Sequence, residues 1–370
     1  MQGSSDKTID QKINISSFLS HFHVMMGPFG LYQHATIREP LLREGYCVDD
    51  NARAVQVLVG LLPLVVAKNK AEVKALLTKC WDFIIEAEER PGYYHNFRSS
   101  DGMWLKQDQS EDMYARLIRC FVVILASSEV EELHIQAEAM LQRLLNRVDA
   151  MQAARFWAEF LVAMTAIPVN RRMNTLALAQ KGQAALTKSW QVHASSQWPW
   201  FENIMTYANA LLPHGVLAGL IINPSKSQTE ILHASARFLQ DSVILEGMFI
   251  PIGSNGWYPK GGMQSKDNQQ AIEASTMFDF LLEYHSHFPG KVVLEEIAAP
   301  YLWFFGKNTG DVVMVDEKTG ASLDGLFAHG PNPNNGAESM LAYQWAEILL
   351  HKAPTEVMTY IQEAKKQIKE

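Results

Sequence analysis

Three absences narrow the classes of protein to which this 370-residue chain can belong. It has only three cysteines, Cys47, Cys80 and Cys120, and no CxxC pair, so the sequence predicts neither a disulfide framework nor a zinc site. No apolar run is long enough to span a bilayer, the longest being 57–67. Lys and Arg number 32 against 40 Asp and Glu, and this acidic balance argues against nucleic acid as a partner.

Targeting and cofactor motifs are also missing. The N-terminus MQGSSDKTIDQKI lacks the basic and apolar regions of a secretory signal, which predicts a cytoplasmic protein whose residues 1–8 are disordered or tag-like. The sequence contains no GxGxxG or GxxxxGK[ST] loop, no HExxH and no GxSxG elbow. We therefore expect no nucleotide cofactor, no bound metal and no membrane partner.

What the chain does contain is amphipathic helical sequence. Apolar residues recur at helical spacing in about thirteen segments. Three short stretches, 93–107, 248–258 and 312–326, instead carry turns such as Asp-Gly and Asn-Gly that are typical of β-hairpins. Hydrophobic residues make up 48% of the chain and no linker-like stretch interrupts them, so residues 1–370 are predicted to form a single domain.

The helical segments repeat as pairs. A loop rich in Asp, Glu, Asn and Gly opens a long apolar helix, a second helix follows, and then the next such loop begins. Six antiparallel hairpins of this kind, each covering its neighbours, close into a ring, so the sequence predicts an all-α (α/α)6 toroid with short β-hairpins at one end. An open α-solenoid is the alternative, but it would have more uniform repeats. The openings are at 48–53, 110–116, 200–203, 266–270 and 335–339, with room for a sixth near Arg155.

In such a ring the first helix of every pair starts at the same end, so the acidic openings are expected to lie together. Each acid taken alone is explained as a helix cap. Acids beside loops rich in Trp and Tyr are, however, the combination that sugar sites use, because carboxylates bind hydroxyls and transfer protons while flat rings stack on pyranose faces.

The predicted catalytic residues are acids at these openings. Asp49 and Asp50 are adjacent and repel each other, which favours one of them as a protonated general acid. The likeliest pair is Asp50 with Asp112, and Glu111, Asp49 and Asp267 are held in reserve.

A larger set of residues is predicted to bind substrate, the aromatic ones by stacking and the polar ones through hydroxyl groups. The set is Tyr46, Arg53, His95, Asn96, Trp198, Trp200, Glu202, Tyr207, Trp257, Tyr258, Gln270, Glu273, Asp324, Asn335 and Glu338. Glu273 has two interpretations, a buried hydrogen-bond hub or a site residue.

The motifs GYCVDDNARA, HNFRSSDGMW, QSEDMYAR, WPWFENIMTYANALLPHG, GWYPKGG, DNQQAIEA and DGLFAHGPNPNNGAES together resemble a family of bacterial (α/α)6-barrel, glycosidase-like proteins. The resemblance runs from about residue 26 to 350. Members stand alone or are fused to glycosyltransferase domains, and they often accompany β-mannoside phosphorylases. The resemblance implies the toroid, a glycan ligand and a functional association with mannoside phosphorylases. The chain departs from the family at Asn268, an insertion, and at Ala208, where an Asp is common, so position 208 is not an essential acid.

Three functions remain open at this level. The leading hypothesis is a glycoside hydrolase acting on a short, mannose-containing oligosaccharide, with two carboxylates flanking the scissile bond. The second is a sugar 2-epimerase, which would use histidines as acid and base; only His95 and His329 can be nominated. The third is a non-catalytic glycan-binding or enzyme-partner module that keeps the cleft without turnover.

Overall fold

The computed structural model describes residues 13–106, 110–167 and 175–369. The segment 1–8, predicted to be disordered or tag-like, lies outside the described residues. The α-helices of the described ranges are α1 Ile15–Met25, α2 Val48–Leu61, α3 Ala67–Glu86, α4 Glu111–Ala126, α5 His134–Leu145, α6 Ala154–Thr165, α7 Thr175–His193, α8 Leu211–Ile222, α9 Lys226–Val243, α10 Ala271–His287, α11 Leu294–Trp303, α12 Ala337–Lys352 and α13 Thr355–Lys369.

The even-numbered helices form a closed inner ring. Each contacts the next in the order α2, α4, α6, α8, α10 and α12, and α12 contacts α2. The odd-numbered helices α3 to α11 each pack outside the inner helix that precedes them, while α1 and α13 pack against α12. The inner helices are flanked on several sides, and α8 is buried at every position from Leu211 to Leu220. The ring of six hairpins predicted from the sequence is therefore confirmed.

The short strands all lie in segments that lead from an outer helix to the next inner helix, so they gather at the end of the ring where the inner helices begin. All their pairings are antiparallel. They are β1 Ala35–Thr36, β2 Glu39–Pro40, β3 Tyr46–Cys47, β4 Glu88–Arg90, β5 Tyr93–Tyr94, β6 Phe97–Arg98, β7 Ile204–Met205, β8 Ile244–Leu245, β9 Met248–Phe249, β10 Tyr258–Pro259, β11 Gln269–Gln270, β12 Val315–Asp316, β13 Ala321–Ser322, β14 Gly325–Phe327 and β15 Gly330–Pro331.

One of the predicted hairpins is wrong. Residues 248–258 do not fold back on themselves, because β9 pairs with β8 and β10 pairs with the distant β7. The hairpin within 312–326 is confirmed by the pairing of β12 with β13. A bridge between Arg98 and Trp104 likewise confirms the described part of the hairpin at 93–107.

The openings mark the starts of the inner helices with one exception. Helices α2, α4, α6, α10 and α12 begin inside the predicted openings or one residue from them, but α8 begins at Leu211 and not near residue 200. Residues 200–210 form an irregular turn instead, in which Ala208 has a φ of 46°, a left-handed conformation that is uncommon for a residue with a side chain.

No helix in the described ranges is both long and apolar enough to cross a membrane. The three cysteines are free and buried.

Candidate active site

Ion pairs join the beginnings of three neighbouring inner helices. Nη1 of Arg53, one turn into α2, lies 2.5 Å from Oε2 of Glu338 on α12 and 3.6 Å from Oδ1 of Asp50. Nε of Arg116, one turn into α4, lies 2.8 Å from Oδ1 of Asp49. The acids of α2 are thus linked to α12 on one side and to α4 on the other.

The two adjacent acids of α2 have different surroundings. The side chain of Asp49 is 24% exposed and is paired with Arg116, whereas the side chain of Asp50 is only 11% exposed. Burial raises the pKa of Asp50 to about 8 despite the attraction of Arg53, and the charges of Asp49 and Glu338 raise it further. A pKa of about 8 favours the protonated form of Asp50 at neutral pH, and burial contributes more to this than the repulsion from Asp49.

Glu338 has the opposite shift. Burial works to raise its pKa, but the charge of Arg53 and their hydrogen bond hold that pKa below its usual value. Its neighbour Asp324 has a pKa raised to about 6, by burial first and by the charge of Glu338 second. The mouth of the ring, where Asp49, Asp50, Asp324 and Glu338 lie, thus combines carboxyl groups whose pKa values are shifted in opposite directions, which is the condition for acid and base roles at one pH.

A second polar chain continues around the ring from α4. The hydroxyl of Tyr207 donates to Oδ2 of Asp112 at 2.6 Å. The guanidinium of Arg155 lies 4.5 Å from the centre of the Tyr207 ring and donates to the Tyr207 carbonyl and to Glu202. Tyr207 is nevertheless 37% exposed, so the residue is partly accessible from solvent.

Glu273 holds the turn that carries Tyr207. Its carboxyl oxygens accept hydrogen bonds from the backbone N–H groups of Ala208 and Asn209 and from the side chain of Asn209. Burial raises the pKa of Glu273 to about 7, although these hydrogen bonds oppose the shift. Of its two interpretations, the contacts support the buried hydrogen-bond hub, which stabilises the left-handed backbone of Ala208.

The inner helices enclose a lumen below the mouth. At its lower end Arg119 donates to Oε1 of Glu159 at 2.9 Å and to Oδ2 of Asp279 at 3.2 Å. The indole N–H of Trp345 also donates to Oδ2 of Asp279, at 3.0 Å. With Gln56, these side chains form the polar floor of the cavity.

The residues of this floor are not among the predicted site residues, although the sequence of α4 contains a signal for it. Asp112, Arg116 and Arg119 follow one another at i, i+4 and i+7 within an otherwise apolar helix, which places all three on one face. Charged residues on a buried inner helix have to face a polar cavity or a partner charge. His34 is also missed; it lies at the mouth, 3.2 Å from the amide of Asn334, and its charge acts on Asp324 and Glu338.

Two predicted stacking residues have no face for a sugar. Trp198 is 3% exposed and Trp200 is fully buried. Trp198 packs edge-on against Phe238 and Tyr258, with ring centres 5.2 and 5.1 Å apart, because the turn directs it inward onto α9. This burial corrects the prediction that Trp198 and Trp200 form a stacking platform. Tyr258, by contrast, is only half-buried.

Tyr46 and Asn96 are also structural. Tyr46 is fully buried and stacks on Tyr32 with ring centres 4.4 Å apart, so its predicted contact with substrate is wrong. The carbonyl of Asn96 accepts the N–H of Val48 at the start of α2. These residues tie the loops behind the mouth to the core.

Two of the reserve acids bind backbone. The carboxylate of Glu111 accepts hydrogen bonds from the N–H groups of Gln152 and Ala153, at 2.9 and 2.7 Å, and so satisfies free donors at the start of α6. The carboxylate of Asp267 accepts from Ala328 and Asn255, and these bonds keep its pKa below the usual value. Both carboxylates therefore have a structural role, because they accept hydrogen bonds from backbone N–H groups of other segments.

The other predicted ligands are distributed around the rim. Gln270 lies in β11 and pairs with Gly325, and Trp257 is half-buried in the loop before it. Asn335 is buried; its side chain accepts the N–H of Arg38 and its carbonyl binds the ring of His21. Asn335 therefore joins the start of α12 to the N-terminal part of the chain, and its side chain already has a hydrogen-bond partner.

The two histidines nominated for epimerase chemistry lie in different loops. His95 stacks on Trp104 with ring centres 5.4 Å apart, and His329 is exposed and stacks on Phe327. Neither lines the lumen. Within the described ranges, no group of three His, Cys, Asp or Glu side chains is arranged to hold a metal ion.

Comparison with known proteins addresses the fold. The sequence matches no protein-family model and no curated protein. Solved structures are similar: a sugar epimerase from a ruminal bacterium has a TM-score of 0.72 at 10% identity, covering 93% of this chain and 98% of its own. The protein has the (α/α)6 fold.

Other structures with this fold have different activities in their names. A cellobiose 2-epimerase from Bacillus thermoamylovorans has a TM-score of 0.66 at 11% identity, over 90% of this chain and 97% of its own. A GH76 alpha-mannanase from Bacteroides thetaiotaomicron has a TM-score of 0.60 at 8% identity, over 90% and 94%. At such identities the likeness establishes the (α/α)6 barrel and leaves the reaction to the residues of the site.

Proposed function

We propose that the protein is a sugar-processing enzyme, a glycoside hydrolase that acts on short mannose-containing oligosaccharides. The observation that carries the proposal is the buried Asp50, whose surroundings raise its pKa to about 8, beside Asp49 and Glu338 at the mouth of a lumen. A carboxylic acid that keeps its proton at neutral pH can donate it to the oxygen of a departing sugar.

Asp50 and Asp112 have separate roles in this proposal. Asp50 transfers its proton to the glycosidic oxygen as the bond from that oxygen to the anomeric carbon breaks. Asp112 acts on the anomeric carbon, directly or through a water molecule whose proton it accepts. The hydrogen bond from Tyr207 orients the Asp112 carboxylate, Arg116 pairs with Asp49, and the charge of Asp49 helps to raise the pKa of Asp50.

Three further considerations support a sugar substrate. The fold is one on which sugar epimerases and alpha-mannanases are built. Tyr207, which is partly exposed, has a ring of the kind that stacks on a pyranose face. The family resemblance adds mannose and an association with β-mannoside phosphorylases to the proposal, and the sequence of the N-terminus adds a cytoplasmic location.

The epimerase and the non-catalytic module are the alternatives. Epimerisation would need a proton-transferring pair such as histidines, and carboxyl groups rather than His95 and His329 surround the mouth. A binding module would not need an acid with a raised pKa. The proposal therefore assigns chemistry to Asp50.

A panel of manno-, gluco- and mixed oligosaccharides, incubated with the protein and followed by mass spectrometry, tests the proposal. Hydrolysis gives two fragments whose masses add up to substrate plus one water. An isomer of unchanged mass would identify the epimerase. Saturable binding without any product would identify the module.

A further inference from the structure

The lumen is walled on every side by the inner ring. Side chains from all six inner helices line it, and neighbouring inner helices contact each other around the whole circle. Arg53 and Arg116 line its upper part and are the same residues that pair with the mouth acids. A ligand therefore reaches the lumen by passing the carboxyl groups of the mouth.

The far end of the lumen is closed by Trp345. This side chain and Gln56 line the lumen on one side and, on the other, an open groove where α2, α4 and α12 end. Trp345 is held by its hydrogen bond to Asp279, and Gly60 leaves the space for its ring, since a Cβ there would lie 3.1 Å from it. The indole of Trp345, together with Gln56, thus separates the lumen from the groove.

The size of the cavity limits what it can hold. It has room for about five to seven water molecules. A single pyranose displaces a comparable volume of water, and two linked sugars displace about twice as much. One sugar ring therefore fills the lumen between the mouth acids and Trp345.

Each of the three arginines that line the wall is already paired with an acid. Arg119 is paired with both Glu159 and Asp279, and Arg53 and Arg116 are paired with the acids of the mouth. An added carboxylate or phosphate would have to break one of these pairs after losing its own water, which is costly in a buried site. A neutral sugar needs no such exchange.

We propose that the lumen is a blind subsite for one neutral, terminal sugar unit, so that the enzyme acts at a chain end and not within a chain. The inference rests on the proposed function, the hydrolysis of a glycosidic bond. It adds which bond of the oligosaccharide is cleaved. The chain end occupies the lumen, the first linkage lies beside Asp50, and the rest of the oligosaccharide extends out through the mouth.

The first experiment follows the earliest products from a long mannooligosaccharide that carries an isotope label in its reducing sugar. Chain-end action releases free monosaccharide together with a chain one unit shorter. Fragments of intermediate length among the first products would overturn the inference while leaving hydrolysis established.

The second experiment shortens Trp345, the large side chain at the closed end of the lumen. Trp345→Ala joins the lumen to the groove beyond it, so disaccharide should become a major early product. Trp345→Phe keeps a ring in place and should still release monosaccharide. Trp190→Ala is the matched control, since it removes a half-buried tryptophan of α7 that does not line the lumen. An unchanged product pattern in a folded Trp345→Ala protein would contradict a lumen closed by this residue.

A binding measurement separates this inference from the proposed function. If no oligosaccharide is cleaved, the hydrolase proposal fails, and mannose binding is then measured by NMR for the wild type and for Ala342→Trp, which fills the lumen. At least tenfold weaker binding in the variant supports the blind subsite. Equal binding, or no binding of mannose to the wild type, overturns it.

Discussion

The neighbours Asp49 and Asp50 show how strongly position decides the chemistry of a side chain. They share one helical turn and the same functional group, yet one is paired with Arg116 and the other is buried with a pKa of about 8. The sequence predicts that one of the pair holds a proton, but not which one. That choice depends first on the deeper burial of Asp50 and then on charges from other inner helices, such as Arg116, which pairs with Asp49, and Glu338.

Asp50 should make the stability of the fold depend on pH. Its folded pKa of about 8 lies above the ordinary value of 3.8, so between these values the folded protein holds a proton that the unfolded chain has lost. The contribution of Asp50 is therefore complete below about pH 4 and is lost as pH rises through about 8, by at most about 1.4 kcal/mol per pH unit.

Asp50→Asn tests this assignment by denaturant unfolding. The difference in unfolding free energy, wild type minus variant, should fall steadily from pH 5 to about pH 8, because only the wild type loses the contribution of the proton. Asn keeps the shape and remains neutral. A difference that is constant over this range would show that Asp50 is ionised in the folded protein.

Tyr207→Phe tests the orientation of Asp112. The variant keeps the ring under Arg155 and removes only the hydroxyl that donates to Asp112, so kcat should fall about tenfold, the equivalent of one hydrogen bond to a charged group, with KM little changed. Tyr284→Phe, which removes a hydroxyl bonded to His233 on the outer side, is the control and should retain kcat. Equal activities of the two variants would exclude a role for the Tyr207 hydroxyl.

At the level of elements, the sequence predicts most inner helices and misses the start of α8. The acidic openings mark α2, α4 and α12 because acids favour the first turn of a helix, a local preference that leaves a local signal. The turn at 200–210 depends instead on Glu273 and Arg155, which approach it from other helices. The burial of Trp198 likewise depends on Phe238, far along the chain, so its neighbours in sequence suggest exposure incorrectly.

Glu111 offers a test of element-level stability. Glu111→Ala removes the acceptor of two backbone N–H groups at the start of α6, and we expect the free energy of unfolding to fall by about 1–2 kcal/mol. Hydrogen exchange should rise in the first turn of α6, while turnover per folded molecule stays near that of the wild type. Asp112→Asn is the comparison, with turnover lost and stability retained. Loss of turnover in Glu111→Ala would return Glu111 to the catalytic set.

At the level of the whole molecule, the site depends on closure of the ring. Arg53 and Glu338 join the first inner helix to the last, and the side chain of Gln344 on α12 donates to the carbonyl of Phe18 on α1. Segments from the two ends of the chain thus build the mouth together. The periodic hairpins predict this closure, but the depth of the lumen and its floor at Trp345 depend on side-chain sizes on several helices at once.

Glu338→Gln tests whether the contact that closes the ring also affects the pKa of Asp50. Removing this charge takes away a repulsion on Asp50 and leaves Arg53 free to attract it, so the pKa of Asp50 should fall. The decline of kcat/KM at high pH should therefore move to lower pH in the variant. Glu347→Gln, an acid on α12 bonded to Tyr301, should leave the profile in place. If the pH dependence of kcat/KM is unchanged in Glu338→Gln, a group other than Asp50 controls its decline at high pH.

One measurement tests the central claim most directly: turnover and ligand binding of Asp50→Asn beside the wild type, on the mannose-containing oligosaccharide that the wild type cleaves. The account predicts at least a hundredfold loss of kcat with binding within a fewfold of the wild type, because Asn fills the same space but has no carboxylic proton to give. Cleavage by Asp50→Asn at the wild-type rate would contradict the account.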